Sequence, residues 1–304
     1  MIAPSGDQWT IRHGDQEATV VEVGGGLRTY TVAGRDILHG YAVGSRADGG
    51  RGQVLMPWPN RIRDGKYTFD GRDQQLPLTE VPRRNAIHGL VRWATWSVQE
   101  RTEDSVTVAH RLLPQPGWAG SLDLRMTYAL SDAGLAVTPS ATNIGEASAP
   151  FGFGQHPYLT VGEERADEVT LTVPASRSID VDDRLIPTGT SPVSGECDFR
   201  TGREIGGTVL DTAYTDLESA EGRWRVQLRL ADRATTLWAD ADAFPYAQVF
   251  TGDTLPPDRA RRSGIAVEPM SCPANAFASG DSLVLLEPGE TWTAQWGITA
   301  TVTH

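Results

Sequence analysis

The chain has 304 residues, a formal net charge of −12 and only 2 Cys and 6 His; of its 27 basic residues all but Lys66 are arginine. That balance argues against nucleic acid as a partner, which needs a basic footprint. It leaves Schiff-base chemistry a single lysine, and it excludes a disulfide framework or a four-cysteine metal site. The start Met1-Ile2-Ala3-Pro4-Ser5-Gly6-Asp7 carries no basic, then apolar, leader. No run approaches the roughly 20 apolar residues of a membrane span. The expectation is a soluble cytoplasmic protein.

In chain order, the first punctuation is Gly24-Gly25-Gly26, a turn. Pro57-Trp58-Pro59-Asn60-Arg61-Ile62-Arg63-Asp64-Gly65-Lys66-Tyr67 follows; two prolines keep its start out of a central strand. Taken alone it reads as a turn with surface charges, or as a rigid loop whose Asn and Arg offer planar donors to sugar hydroxyls or a carboxylate. Asp70-Gly71 predicts a tight turn. Asn85 to Arg92 places His88 before Gly89, where backbone can approach closely. Between Arg51 and Arg92 eight basic residues face four acidic ones, a net of +4, so the rest of the chain carries −16. This is either a solvated Arg-rich stretch or a local anion pocket.

Beyond the Pro116-Gly117 turn, Leu122, Leu124, Met126, Tyr128 and Leu130 alternate with Asp123, Arg125, Thr127 and Ala129, the period-two pattern of a half-buried antiparallel strand. Trp224, Val226, Leu228 and Leu230 repeat it, as do Trp292, Ala294, Trp296, Ile298 and Ala300 after the turn Pro288-Gly289. Phe151-Gly152-Phe153-Gly154-Gln155-His156-Pro157-Tyr158 predicts either a bulged strand or glycines that admit a ring-shaped ligand beside stacking aromatics. Pro157 biases His156 toward extended backbone. The polar stretch 175–207 predicts long loops plus an excursion. In Gly264-Ile265-Ala266-Val267-Glu268-Pro269-Met270 an apolar strand ends at Glu268, where Pro269 stops the ladder; a carboxyl there suits a general base. No segment sustains an amphipathic helix and no repeat is visible. Many short strands with regular turns predict one all-β domain over residues 1–304, a large antiparallel β-sandwich or barrel. No His pair has zinc spacing and no Gly-x-Ser-x-Gly elbow occurs, so neither a metal site nor a serine hydrolase is expected.

Together these segments resemble the aldose 1-epimerase (galactose mutarotase) family. Asn60-Arg61-Ile62 with Gly65-Lys66-Tyr67 resembles its Asn-Arg-Ile…Gly-x-Phe/Tyr signature, and Asn85–Gly89 its Asn-His-x-His-Gly loop. His156-Pro157-Tyr158 is similar to its His-x-Tyr segment and Gln248-Val249-Phe250-Thr251-Gly252 to its Gln-Val-Tyr-Thr-Gly strand. Glu268-Pro269…Pro273-Ala274-Asn275 is similar to its Glu-Thr/Pro…Pro-Asp-Ala-Asn segment. The resemblance implies a single β-supersandwich that needs no cofactor and binds a small sugar. Glu268 is then the base on the anomeric hydroxyl, His156 the acid on the ring oxygen, and His88 a helper that orients it. Arg61, Asn60, Gln248 and Arg92 would contact substrate, together with Asp211 or its competitor Asp216. Two departures stand out. Ala86 replaces the first His of the loop, and His88-Gly89-Leu90-Val91-Arg92…Trp96 resembles the run of the hexose-6-phosphate epimerase branch. Three readings follow: a hexose epimerase, the same chemistry on a phosphorylated or sulfonated sugar, and a sugar-binding protein on this fold without catalysis.

Overall fold

The computed structural model describes residues 2–162, 165–255 and 262–302. Two large antiparallel sheets dominate it. A ten-stranded sheet runs in the order Ser97–Arg101, Ser105–Leu112, Leu122–Ser131, Gly134–Asn143, Trp296–Val302, Arg233–Asp240, Arg223–Leu230, Thr170–Thr172, Arg203–Glu204, with Thr291–Thr293 pairing beside Gly134–Asn143. An eight-stranded sheet runs Pro187–Pro192, Ala175–Val181, Asp211–Leu217, Tyr246–Phe250, Ile265–Met270, Gly154–Gln155, Val54–Leu55, with Tyr158–Leu159 also on Ile265–Met270. Four N-terminal strands between Gln8 and Asp36 form a separate meander.

The expected alternation is the reason the sheets stack. In Leu122–Ser131 each apolar residue of the pattern is buried and the residues between are not, so one face of the strand must be covered. The covering layer is the other sheet. Tyr128 of the larger sheet accepts a hydrogen bond from Gln155 Nε2 of the smaller at 3.0 Å, and Thr235 donates across to the Thr160 carbonyl at 2.7 Å. Trp224 donates its indole N–H to the Phe244 carbonyl at 2.7 Å. Buried apolar residues from Ile11 to Ile298 make one contiguous cluster. Asp70 and Gly71 both take positive φ and close the hairpin Lys66–Phe69 to Arg72–Gln75, as a two-residue turn with this sequence should.

Three expectations change. The stretch 175–207 is only partly loop: Ala175–Val181 and Pro187–Pro192 pair as a hairpin at the edge of the smaller sheet. Few of its side chains are buried, so no alternation existed to be read. The run Trp292–Ala300 is two strands on different stretches of their neighbour, separated at Gln295, whose N–H donates to Asp240 Oδ2 at 2.9 Å. Phe151 and Phe153 do not face a ligand. Both pack on Trp292 in the core, and a Cβ at Gly152 or Gly154 would meet Cys272 Sγ at 2.4 Å or Pro59 Cβ at 2.7 Å, so these glycines admit the chain's own 57–60 loop. The one α-helix among the described residues, Ala276–Ser279, is a single turn, and no helix is long and apolar enough to cross a membrane.

Candidate active site

The strand Ile265–Met270 lies inside the smaller sheet and is buried along its whole length. Glu268 sits within this strand, not at its end: the ladder continues past it, with Gln248 opposite Glu268 and Ala247 opposite Pro269. Proline fits because its missing N–H costs the ladder one bond only. Alternation sends the Glu268 side chain out of the sheet to the floor of a cleft of about 650 Å³. Its Oε1 lies 3.3 Å from Nε2 of His156, and both residues are at most 5% exposed. The His88 ring stands edge-on to His156, with centroids 5.6 Å apart.

His88 owes its place to backbone. It takes φ 63° and Gly89 φ 69°; the His88 N–H donates to the Asn60 carbonyl at 2.8 Å and Leu90 N–H to the Met56 carbonyl at 2.7 Å. A Cβ at Gly89 would lie 2.0 Å from the Met56 oxygen. Gly89→Ala is therefore expected to displace the His88 loop, cost about 1–3 kcal/mol from the positive φ alone and lower the catalytic rate. Denaturant melts and steady-state rates check this, and a variant with parental values for both would contradict it.

Burial governs the electrostatics of the floor. It raises the Glu268 carboxyl well above its ordinary value; the Asp211 charge adds to this and Arg61 opposes it. It lowers His156 to about 3, helped by the charges of Arg51, Arg92 and Arg61. His88 is lowered by burial first, then by His156, Arg92 and Arg61. A carboxyl and an imidazole in contact under these conditions hold one proton between them, and burial favours the neutral arrangement with that proton on Glu268.

One wall of the cleft is a hydrogen-bonded chain. Arg61 grips Glu80 through Nε at 3.0 Å and Nη2 at 3.1 Å, and its Nη1 donates to Asn60 Oδ1 at 3.1 Å. Asn60 donates to Gln248 Oε1 at 3.3 Å, and Gln248 donates to Asp211 Oδ1 at 2.7 Å. Asp211 lines the cleft at the start of Asp211–Leu217; Asp216, at the far end of that strand, does not. Glu80 was not singled out from the sequence. It stands 19 residues from Arg61, and no local pattern marks it. The opposite wall carries Arg46, Arg92 and the half-exposed Trp93, with both guanidinium carbons within 6 Å of the indole centre, at 5.9 and 5.7 Å. The structure thus brings Glu268, His156, His88, Arg61, Asn60, Asp211 and Arg92 around one cleft, with Gln248 linking Asn60 to Asp211 behind it. Among the described residues no three His, Cys, Asp or Glu side chains form a metal-binding group.

The aldose 1-epimerase family profile matches residues 7–299. The chain belongs to the aldose 1-epimerase family. It is an isomerase on that ground. Among its relatives, the uncharacterised Escherichia coli K12 protein YihR is 36% identical over 288 residues, spanning 94% of this chain and 91% of that one. Galactose mutarotase of Rattus norvegicus is 26% identical over 266 residues, 79% of this chain and 75% of its own. The fold matches an aldose epimerase homologue from C. elegans with TM-score 0.86 at 18% identity, covering 98% of this chain and 100% of that one. It matches galactose 1-epimerase of Lactobacillus acidophilus with TM-score 0.83 at 20% identity, covering 98% and 95%.

Proposed function

We propose that this aldose 1-epimerase interconverts the α and β anomers of a hexose, with Glu268 and His156 exchanging protons with the sugar. The observation that carries the reading is their 3.3 Å contact at the buried floor of a polar cleft. Ionised Glu268 takes the proton from O1 and the O1 lone pair closes the C1=O bond. The C1–O5 bond breaks with its electron pair going to O5, which takes the proton of the His156 imidazolium. Rotation about C1–C2 presents the other face of the aldehyde, and the same transfers in reverse close the ring. After ring opening Glu268 is protonated and His156 neutral, which is the pair that burial favours. Because the resting pair has this same neutral form, the proton passes from Glu268 to His156 before ring opening, and ring opening returns it to Glu268. Asp211, Arg61 and Asn60 would hold ring hydroxyls, and His88 would orient His156. Each acid or base is worth on the order of 10²–10⁴-fold. The family match and the contiguous core support residues 1–304 working as one unit.

Polarimetry on a freshly dissolved pure anomer tests this: decay at the buffer rate would rule out catalysis, and binding without acceleration would identify a sugar-binding protein on this fold.

One observation favours a substrate carrying an anionic group. Arg61 and Arg83 share Glu80, yet among the described residues neither Arg46 nor Arg92 is in an ion pair with a carboxylate, and both flank the Trp93 ring. Burial lowers the Arg92 guanidinium, so a phosphate or sulfonate arriving there would relieve an uncompensated charge. Hexose 6-phosphates or sulfonated hexoses should then outpace free glucose and galactose by at least about tenfold at low salt, with the advantage shrinking at high salt. Arg92→Ala should remove that advantage, lowering the rate on the charged sugar by more than the rate on free hexose. Equal rates for charged and neutral sugars would leave the neutral hexose as substrate.

A further inference from the structure

We propose that Arg51 is a positioning residue for the reaction, acting on His156 through the ring of Tyr158. The proposal rests on His156 being the proton donor of the preceding reading.

Tyr158 lies two residues beyond His156, and its ring stacks on the imidazole at 5.0 Å with 15° between the planes. The same ring carries the Arg51 guanidinium, whose carbon is 4.8 Å from the ring centre. Arg51 is 4% exposed and ion-pairs with Asp48. The Tyr158 hydroxyl donates to the Gly49 carbonyl at 2.7 Å. The segment from Asp48 to Gln53 is fastened to the histidine by two backbone bonds, Gly52 N–H to the His156 carbonyl at 2.8 Å and His156 N–H to the Gln53 carbonyl at 3.1 Å. Gly50, at φ 80°, passes so close that a Cβ there would lie 2.6 Å from His156 Cδ2. The imidazole is thus held between a glycine backbone and an aromatic ring, and a buried cation sits on that ring.

Such an arrangement does two things for an acid. It fixes the ring so that Nε2 points at Glu268, and stacking on an aromatic costs little side-chain entropy. It also sets a like charge near the imidazolium, making it a stronger acid toward a weakly basic ring oxygen. The other groups facing His156 are Glu268 from Ile265–Met270, His88 after Asn85–Ile87, Arg61 from Arg61–Arg63, and Arg92; Asp48 stands behind Arg51 and Asp211 behind Glu268. Of these cations Arg51 lowers His156 the most. It is also the one in contact with the ring that His156 stacks on.

The test is ¹⁵N-histidine NMR titration of His156 alongside pH–rate profiles for three variants: Arg51→Met, Arg51→Lys and Asp48→Asn. In Arg51→Met the His156 midpoint should move up relative to the parent. Its kcat should fall about tenfold with KM within about twofold, because the ring that aims His156 at Glu268 loses its anchor while the substrate contacts remain. Arg51→Lys keeps the charge and should retain most of the rate and the parental midpoint. Asp48→Asn removes the compensating charge and should move the midpoint the other way, down. A midpoint unmoved in Arg51→Met, or moved the same way in Asp48→Asn, would overturn the proposal. So would an Arg51→Lys variant as slow as Arg51→Met. If Arg51→Met does not fold, the Arg51→Lys and Asp48→Asn results decide. Polarimetry on the parent decides the epimerase reading separately, since the titration is read without any sugar.

Discussion

Glu268→Gln is expected to leave a pure anomer decaying at the uncatalysed rate and, at neutral pH, to melt at a higher temperature than the parent. Glutamine keeps the shape of the protonated carboxyl, and its amide N–H can still donate to His156 Nε2 across the 3.3 Å gap. It cannot take the proton from O1, so the loss should reach the on the order of 10²–10⁴-fold that a positioned base supplies, with sugar binding mostly retained. The gain in stability follows from linkage. Burial raises the Glu268 carboxyl above 4.5, its value in the unfolded chain. The stability this group confers is fully present below pH 4.5 and is lost as pH rises through the folded value, because unfolding then releases a proton. Glutamine has nothing to release, so the variant's advantage should be largest at neutral pH and vanish near pH 4.5.

His156 and His88 work in the opposite sense: both are lowered, so their contribution is present above the ordinary 6.5 and is lost as pH falls below it. The parent should therefore lose stability on both sides of a window between these values. Calorimetry across pH measures both limbs. An equal or lower melting temperature for Glu268→Gln at pH 7 would contradict the assignment of Glu268 as a carboxyl held neutral by burial, and a residual rate near the parent's would contradict its role.

Arg61→Ala should damage both fold and chemistry. Arg61 is 9% exposed and ties together Glu80, Asn60 and, at 3.9 Å, Asp211. Removing it leaves Glu80 with Arg83 and Asn85 as its remaining partners and strips Asp211 of its cation. Because Glu80 is only partly buried and keeps these partners, losing the Arg61 bonds should cost about 1–3 kcal/mol. Arg61 also opposes the rise of the Glu268 carboxyl while Asp211 drives it. Without Arg61 the base should need a higher pH to ionise, shifting the lower limb of the rate profile upward and raising KM as hydroxyl contacts are lost. Arg61→Lys should recover charge but not the two-pronged grip on Glu80, and so should restore the profile's position more than the stability. Parental stability together with an unmoved pH limb in Arg61→Ala would refute this account of the wall.

Much of this was legible in the chain. Strict period-two alternation at Leu122–Ser131 and Arg223–Leu230 names a half-buried strand because side chains point alternately to the two faces. Asp70-Gly71 names its turn because both residues tolerate positive φ. His88, His156 and Glu268 emerged as the candidate proton carriers because chemically versatile residues are scarce in this sequence and those three sit in the motifs carrying the family resemblance. The edge hairpin around residues 175–192 was illegible because it buries little, so nothing in its sequence had to alternate. Glu268 was misplaced at a strand end because proline disrupts a ladder only through its own N–H, and whether a neighbour needs that N–H is a fact of pairing.

The opening composition, −12 overall with a +4 stretch at 51–92, shows where sequence stops. By itself it determined that the chain is built of antiparallel strands, that nearly every cation is arginine, and which few side chains can move protons. Only the tertiary structure decided how those charges are used. Within the same stretch Arg61 and Arg83 are matched by Glu80 and Arg51 by Asp48, while Arg92 stands with Trp93 over the cleft. Only packing decided that Glu268 and His156, 112 positions apart in the chain, touch at the buried floor of the cleft. The physical reason is range. Side-chain alternation and turn preference act over a few residues, whereas charge compensation and desolvation depend on distance in space, which the folded sheets alone set.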